Sequence, residues 1–334
     1  MTPMRPDPAT EQFLQMLRAA GRPPLDEQPV AVARAGTRAA NQQMARPPLP
    51  LHRVEDRRIP TPAGELNVRM YWPRPAAEDE RLPIVIFFHG GGFVLCDLDT
   101  HDPIARYCSL HADAIVVSVD YRLAPEHKFP AAVDDSYAAV SWVAAHADEL
   151  GGDAHRIAVA GDSAGGNLAT VVCQLAKERR GPAIAFQALF YPVVDLDPKA
   201  PFPSRAEFGG GDYFLSTRDI AWFNSQYLTD LVFDIRDSRA SPMRARDLSG
   251  LPPALIVTAG CDPLCDEGEA YAERLKAAGV PVEYRCFEGT IHVFLSFAPV
   301  IPAGDEGLAF IAERLHAALH SAKTSHVGSV HELS

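Results

Sequence analysis

The residue of this chain best placed to attack a carbonyl is Ser163. It stands in Gly161-Asp162-Ser163-Ala164-Gly165-Gly166, with a glycine two residues to either side. The apolar run 156–160 before it reads as a buried strand, and 167–177 after it has the apolar spacing of a helix. A serine on such a strand-to-helix turn is held in a strained backbone conformation, its hydroxyl presented above the sheet. The N–H of Ala164 opens the helix, where unpaired donors and the helix dipole favour a developing negative charge. Asp162 is expected to hold the turn through backbone hydrogen bonds.

A hydroxyl nucleophile needs a base, and the base needs an orienting acid. Of twelve histidines, His292 fits best: it lies in the loop 288–294, after the last strand and before the last long helix. His127, His146, His155 and the tail histidines sit in helices, at surface positions or before the nucleophile. The segment 260–268 offers two acids. Asp262 follows a strand directly and would project toward His292. Asp266 has Glu269 three residues on, the pattern of a helix cap and capping box. Asp262 is therefore assigned to the histidine and Asp266 to capping. The order Ser163, Asp262, His292 is that of a hydrolytic serine site.

An acyl-transfer site must also stabilise an oxyanion. His89-Gly90-Gly91-Gly92-Phe93 follows the strand 84–88, and glycine lets a backbone N–H approach a substrate closely. His89 is expected to brace this loop. Asp97, Asp99, His101 and Asp102, just beyond, could do the same. In 121–127, Arg122 and Glu126 read as an ion pair bracing their loop.

These residues need a sheet beneath them. Strands are predicted at 84–88, 114–119, 157–160, 183–191, 254–259 and 282–287, with helices at 130–146, 167–179, 267–278 and 305–320. Continuous apolar strands alternating with helices imply a mostly parallel sheet covered on both faces. Residues 54–72 alternate around 60–64 and read as a hairpin. Two regions supply no strand. Residues 1–50 hold helical stretches at 11–20 and 29–44. The interval 195–250 holds Pro198, Pro201, Pro203, three consecutive glycines and one helical piece near 217–227. An insertion of that size is more often a binding loop or lid than a connector. We expect the two regions to pack together as a cap, with a frayed polar tail from Ser321 to Ser334.

Composition narrows the function. A net charge of −12, from 31 basic and 43 acidic residues, argues against nucleic acid or an anionic membrane as partner. No apolar run approaches a membrane span, and the first residues lack an apolar signal region. Six cysteines form no C-x-x-C pair and read as reduced thiols, which suits the cytoplasm. No metal and no cofactor are expected.

With HGGGF, YRLAPEH, GDSAGG, DPLCDEG and His292 in this order, the chain resembles the hormone-sensitive-lipase family of α/β-hydrolases, also called family IV bacterial esterases. The resemblance runs from about Val54 to His320, and the GDSAG form matches one of the family's two main subgroups. It implies an α/β-hydrolase fold, a mostly parallel eight-stranded sheet flanked by helices, with a helical cap. The cap would comprise 1–50 and an insertion at 195–235, and the catalytic domain 51–194 and 236–320. It implies Ser163, Asp262 and His292 as a triad, and Gly91, Gly92 and Ala164 as oxyanion donors, supported by His89, Gly90 and Asp162. The expected activity is carboxylesterase action on small esters of short to medium acyl chain. Action on a lipid, lactone or amide by the same triad is an alternative, and a ligand-binding protein without the chemistry is a remoter one. The family also dimerises through the last strand and its neighbouring helix, so a homodimer is possible.

Overall fold

The structure, a computed structural model, describes residues 4–21, 23–44 and 46–321. The strands are Arg53–Thr61 (β1), Gly64–Trp72 (β2), Leu82–Phe88 (β3), Ile115–Val119 (β4), Gly152–Asp162 (β5), Phe186–Phe190 (β6), Ala254–Cys261 (β7) and Val282–Ile291 (β8). They form one sheet in the order β1-β2-β4-β3-β5-β6-β7-β8. β1 and β2 are the expected hairpin, and β2 runs antiparallel to β4. Every other neighbouring pair is parallel. This is an α/β-hydrolase fold.

The helices are Pro8–Ala20 (α1), Val30–Met44 (α2), Asp102–Ala112 (α3), Ala131–Ala145 (α4), Ala164–Arg179 (α5), Pro203–Phe208 (α6), Thr217–Tyr227 (α7), Cys265–Ala277 (α8) and Ala303–His320 (α9). β3 is buried at every position and splits its side chains between two cores. Ile84, Ile86 and Phe88 pack with residues of α4, α5 and α8, while Val85 and Phe87 pack with α3, α9 and α1. A strand buried on both faces must be apolar throughout, which is why its sequence does not alternate.

Strand register, more than strand length, decides what meets at the sheet's C-terminal end. Phe88 of β3 is level with Gly161 of β5, so His89-Gly90 and Asp162 leave the sheet side by side. Asp162 is level with Phe190, which brings Ser163 beside Tyr191. A register shift between Ala259 and Cys261 lets Cys261 pair with Ile291, so Asp262 and His292 emerge as neighbours. β5 and β8 are longer than the sequence suggested, and the extra length of β8 is the part beyond this shift.

Three sequence expectations are corrected. No helix was expected between β3 and β4, yet α3 is there. Its buried Ile104, Ala105, Cys108 and Ala112 form a stripe of mostly small residues that is weak as a hydrophobic pattern. Asp266 is not the cap of α8: the helix begins at Cys265 with Leu264 at the cap position, and Asp266 instead accepts from the Ser204 N–H. Arg122 pairs with Asp135 on α4, and Glu126 with Arg34 on α2, so the two do not pair with each other. The tail from residue 322 onward lies outside the described residues.

The two regions without strands meet. Arg218 at the start of α7 contacts Asp26 and Glu27, between α1 and α2, at 2.7 and 2.8 Å. Asp7 caps α1, and Ser216 with Asp219 forms a capping box at α7. Each piece is thus a defined helix held by its own end groups. The insertion is anchored below by a buried pair: Arg205 of α6 donates to Glu267 of α8, whose other oxygen accepts from the Val194 N–H at 2.8 Å. The cysteines are unpaired, with the Cys265 and Cys286 sulfurs 4.0 Å apart.

Candidate active site

Ser163 is the hinge between β5 and α5. Its φ of 53° and ψ of −115° lie outside the ordinary regions, at a cost of about 1–3 kcal/mol. The surroundings fix it there: Ser163 N–H donates to Phe190 O at 2.8 Å, and Ser163 O accepts from Asn167 N–H at 3.1 Å. Gly165 shows why the motif needs glycine. A Cβ there would collide with the Phe88 carbonyl, pushing α5 off β3.

The structure brings the three distant side chains together. The Ser163 hydroxyl donates to His292 Nε2 at 2.9 Å, and His292 Nδ1–H donates to Asp262 Oδ2 at 2.7 Å. Asp262 is fully buried. Its Oδ1 accepts from Leu264 N–H at 2.9 Å, and its backbone oxygen accepts from Cys265 N–H at 3.0 Å. So Asp262 also holds the start of α8, the role expected of Asp266. The Tyr191 and His292 rings meet edge to face, at 63° with centroids 5.1 Å apart, a contact that helps fix the imidazole plane. Nothing in the sequence around Tyr191 signalled that contact; it follows from the β5–β6 register.

The glycine loop faces the same hydroxyl across one cavity. No described residue accepts a hydrogen bond from the N–H of Gly91 or Gly92, and Ala164, as the first residue of α5, has no helical partner either. Gly90 N–H donates to Asp162 Oδ1 at 2.8 Å. Asp162 was expected to hold the serine turn; its carboxylate holds the glycine loop to that turn instead. His101 Nε2 approaches the other oxygen at 3.3 Å. Burial alone would raise the Asp162 carboxyl, but the charge and hydrogen bond of His101 and the Gly90 N–H leave it below its ordinary value. Asp99 and Asp102 do not brace this loop; they bind Arg69 and Arg106.

His89 Nδ1–H donates to Gly90 O at 2.7 Å, and its ring is stacked on Tyr121. Its Nε2 is buried and has no partner among the described residues. A second proton there would have no acceptor. Burial, then the nearby His101, push its pKa down from 6.5 to about 4. The neutral form is the folded form, so His89 contributes stability that is complete above pH 6.5 and is lost as pH falls toward 4. The gap corresponds to about 3 kcal/mol. His89→Gln should remove this dependence: the stability advantage of the parent over the variant is expected to shrink by that order between pH 7 and 4. Chemical denaturation at several pH values checks it, and a constant difference would contradict the buried neutral state.

The cavity above these groups has a volume of about 890 Å³ and is lined mainly by apolar side chains. Leu17, Leu25, Phe214 and Phe223 come from the strandless regions, and Leu264 and Phe297 from the sheet side. Phe223 lies against Gly92, where any side chain would strike its ring. Among the described residues no group of acids, histidines and cysteines is arranged to hold a metal ion. No described helix is long and apolar enough to cross a membrane.

Known proteins share this plan. The family model for the alpha/beta hydrolase fold matches residues 85–296. The carboxylesterase NlhH of Mycobacterium tuberculosis is 45% identical over 332 residues, covering 95% of this chain and 99% of the relative. Esterase LipI of the same organism is 46% identical over 277 residues, 81% and 86% of the two chains. The solved structure of a hyperthermophilic esterase from the archaeon Pyrobaculum calidifontis superposes with a TM-score of 0.87 at 44% identity, covering 94% of this chain and 99% of that one. Fold, site geometry and these likenesses agree: the chain belongs to the α/β-hydrolase family, in its hormone-sensitive-lipase-like (family IV) esterase group.

Proposed function

We propose that the protein is a serine carboxylesterase that cleaves small carboxylic esters of short to medium acyl chain through an acyl-enzyme. The observation that carries this reading is the unbroken run of hydrogen bonds from Asp262 through His292 to Ser163. Ser163 Oγ attacks the ester carbonyl while His292 Nε2 takes its proton. Asp262 keeps the proton on Nδ1, so that Nε2 is free to accept, and stabilises the imidazolium that forms. The N–H groups of Gly91, Gly92 and Ala164 receive the oxyanion. His292 then protonates the leaving alcohol. Water, deprotonated by the same nitrogen, attacks the acyl-enzyme and releases the carboxylic acid.

We read residues 1–50 and 195–235 as the cap that closes this site. The Arg218 contacts to Asp26 and Glu27 and the shared cavity lining support it. A cavity of about 890 Å³ is in the range of sites for drug-sized ligands and is roomy for an acetyl or butyryl ester. The names of the relatives, esterase and carboxylesterase, favour ester over amide or lactone substrates.

Labelling tests the reading directly. A fluorophosphonate should add once per chain, with the adduct on Ser163 by peptide mass spectrometry. The rate of labelling should fall when p-nitrophenyl butyrate competes. An adduct on another residue, or none, would remove the basis for the mechanism.

A further inference from the structure

We propose that helix α2, through Arg34 and Arg38, sets the shape of the oxyanion loop, so that the N-terminal segment serves the chemical step as well as covering the cavity. This rests on the assignment of Gly91 and Gly92 as oxyanion donors.

The loop cannot hold its own shape. Four of the residues between 91 and 96 have positive φ: Gly91 at 107°, Gly92 at 61°, Phe93 at 63° and Cys96 at 71°. The last two are not glycine, and such conformations persist only where the surroundings over-determine them. Inside the loop, Gly91 O accepts from Val94 N–H at 3.1 Å and from Leu95 N–H at 2.8 Å. The rest of the hold comes from outside.

Arg34 and Arg38 lie one helical turn apart, on one face of α2. Arg34 Nε donates to Val94 O and its Nη2 to Ala124 O, each at 2.8 Å, and the fork also meets the Glu126 carboxylate. Ala124 N–H in turn donates to Phe93 O at 2.9 Å. One guanidinium therefore ties the turn that carries Gly91 and Gly92 to the neighbouring loop. Arg38 Nε donates to Asp97 Oδ2 at 2.8 Å, and Asp97 Oδ1 accepts from Thr100 N–H at 2.9 Å. Thr100 Oγ1 lies 3.0 Å from His101 Nδ1, His101 Nε2 reaches Asp162, and Asp162 accepts from Gly90 N–H. That chain begins on α2 and ends on the N–H of Gly90, the residue before Gly91. Tyr227 of α7 also stacks on Phe93, with centroids 3.9 Å apart.

A surface ion pair would explain Arg38–Asp97 alone. It does not explain Arg34, whose fork is directed at two main-chain carbonyls. Oxyanion donors act only when aimed at the position the charged oxygen takes, and a misplacement near 1 Å costs about 100-fold in rate.

The test uses the full chain carrying Arg34→Ala with Arg38→Ala. kcat for p-nitrophenyl butyrate is expected to fall about 10- to 100-fold, with KM little changed. Inhibition by an alkyl trifluoromethyl ketone, whose adduct places an oxyanion in the same hole, should weaken by a similar factor. Arg34→Lys keeps the charge but not the fork, and should show a smaller fall in kcat. It decides the matter if the double variant does not fold. A raised KM with unchanged kcat would mean that α2 only covers the cavity. A fall in kcat without loss of ketone affinity would equally overturn the proposal. Ser163→Ala is the reference. Turnover in that variant would remove the enzyme mechanism itself; an inactive Ser163→Ala beside a fully active arginine variant removes only the present proposal.

Discussion

Ser163→Ala is expected to lower kcat for p-nitrophenyl butyrate by roughly 10,000- to 1,000,000-fold while leaving the thermal midpoint within a few degrees. The size follows from geometry. One atom is lost, and it is the atom that His292 Nε2 approaches at 2.9 Å. Everything that stabilises the oxyanion stays, so some residual catalysis with water as the nucleophile is expected. Stability should change little, because the backbone bonds that hold the elbow, Ser163 N–H to Phe190 O and Asn167 N–H to Ser163 O, do not involve the hydroxyl. Any change at the strained φ of 53° is shared by serine and alanine alike. Stopped assays with enough enzyme to detect about one part in 1,000,000 would measure it. Turnover within tenfold of the parent would mean that another nucleophile does the work.

What could be read in the chain beforehand was local or ordered. The elbow is a local pattern, because Gly165 must pass the Phe88 carbonyl. The parallel sheet is legible because a strand such as β3, buried on both faces, has no polar positions. The order of Ser163, Asp262 and His292 along the chain, and the strands they follow, single out the three side chains that the structure sets in one hydrogen-bonded line. What stayed hidden depends on tertiary register. Arg122 lies in the loop after β4 and its partner Asp135 on α4, while Glu126, nearer in sequence, pairs with Arg34. The Asp-x-x-Glu pattern at 266–269 pointed to a capping box. However, Asp262 captures the N–H groups of Leu264 and Cys265 first, so the helix starts before Asp266 can cap it. α3 escaped because small residues carry its buried stripe. Tyr191 beside His292 and Arg34 against Val94 O join elements far apart in sequence, and no local pattern marks them.

Asp262→Asn should lower kcat by roughly 1,000- to 10,000-fold with little change in KM, although the side chain keeps its size. The carboxylate now accepts two hydrogen bonds, from Leu264 N–H at 2.9 Å and from His292 Nδ1–H at 2.7 Å. An asparagine has one oxygen and one NH2 and cannot accept at both ends. If its oxygen takes the Leu264 N–H, its NH2 faces Nδ1, and the histidine must move its proton to Nε2. That tautomer cannot accept the serine proton. If the amide turns the other way, Leu264 N–H loses its acceptor and the start of α8 is strained, while the neutral oxygen stabilises the imidazolium less than a carboxylate does. Either way proton transfer from the nucleophile is impaired, by the wrong tautomer in the first case and by a weaker partner for the imidazolium in the second. Fluorophosphonate labelling should slow by a comparable factor, since it needs the same proton transfer. Asp266→Asn supplies the contrast: Asp266 meets only the 204 region, accepting from the Ser204 N–H at 2.7 Å, and contacts no group that moves a proton. Its kcat should stay within about twofold of the parent, as for ordinary substitutions away from the reacting atoms. If the two variants exchanged these outcomes, the acid of the site would be residue 266, and the register that sets Cys261 beside Ile291 would have no part in the chemistry.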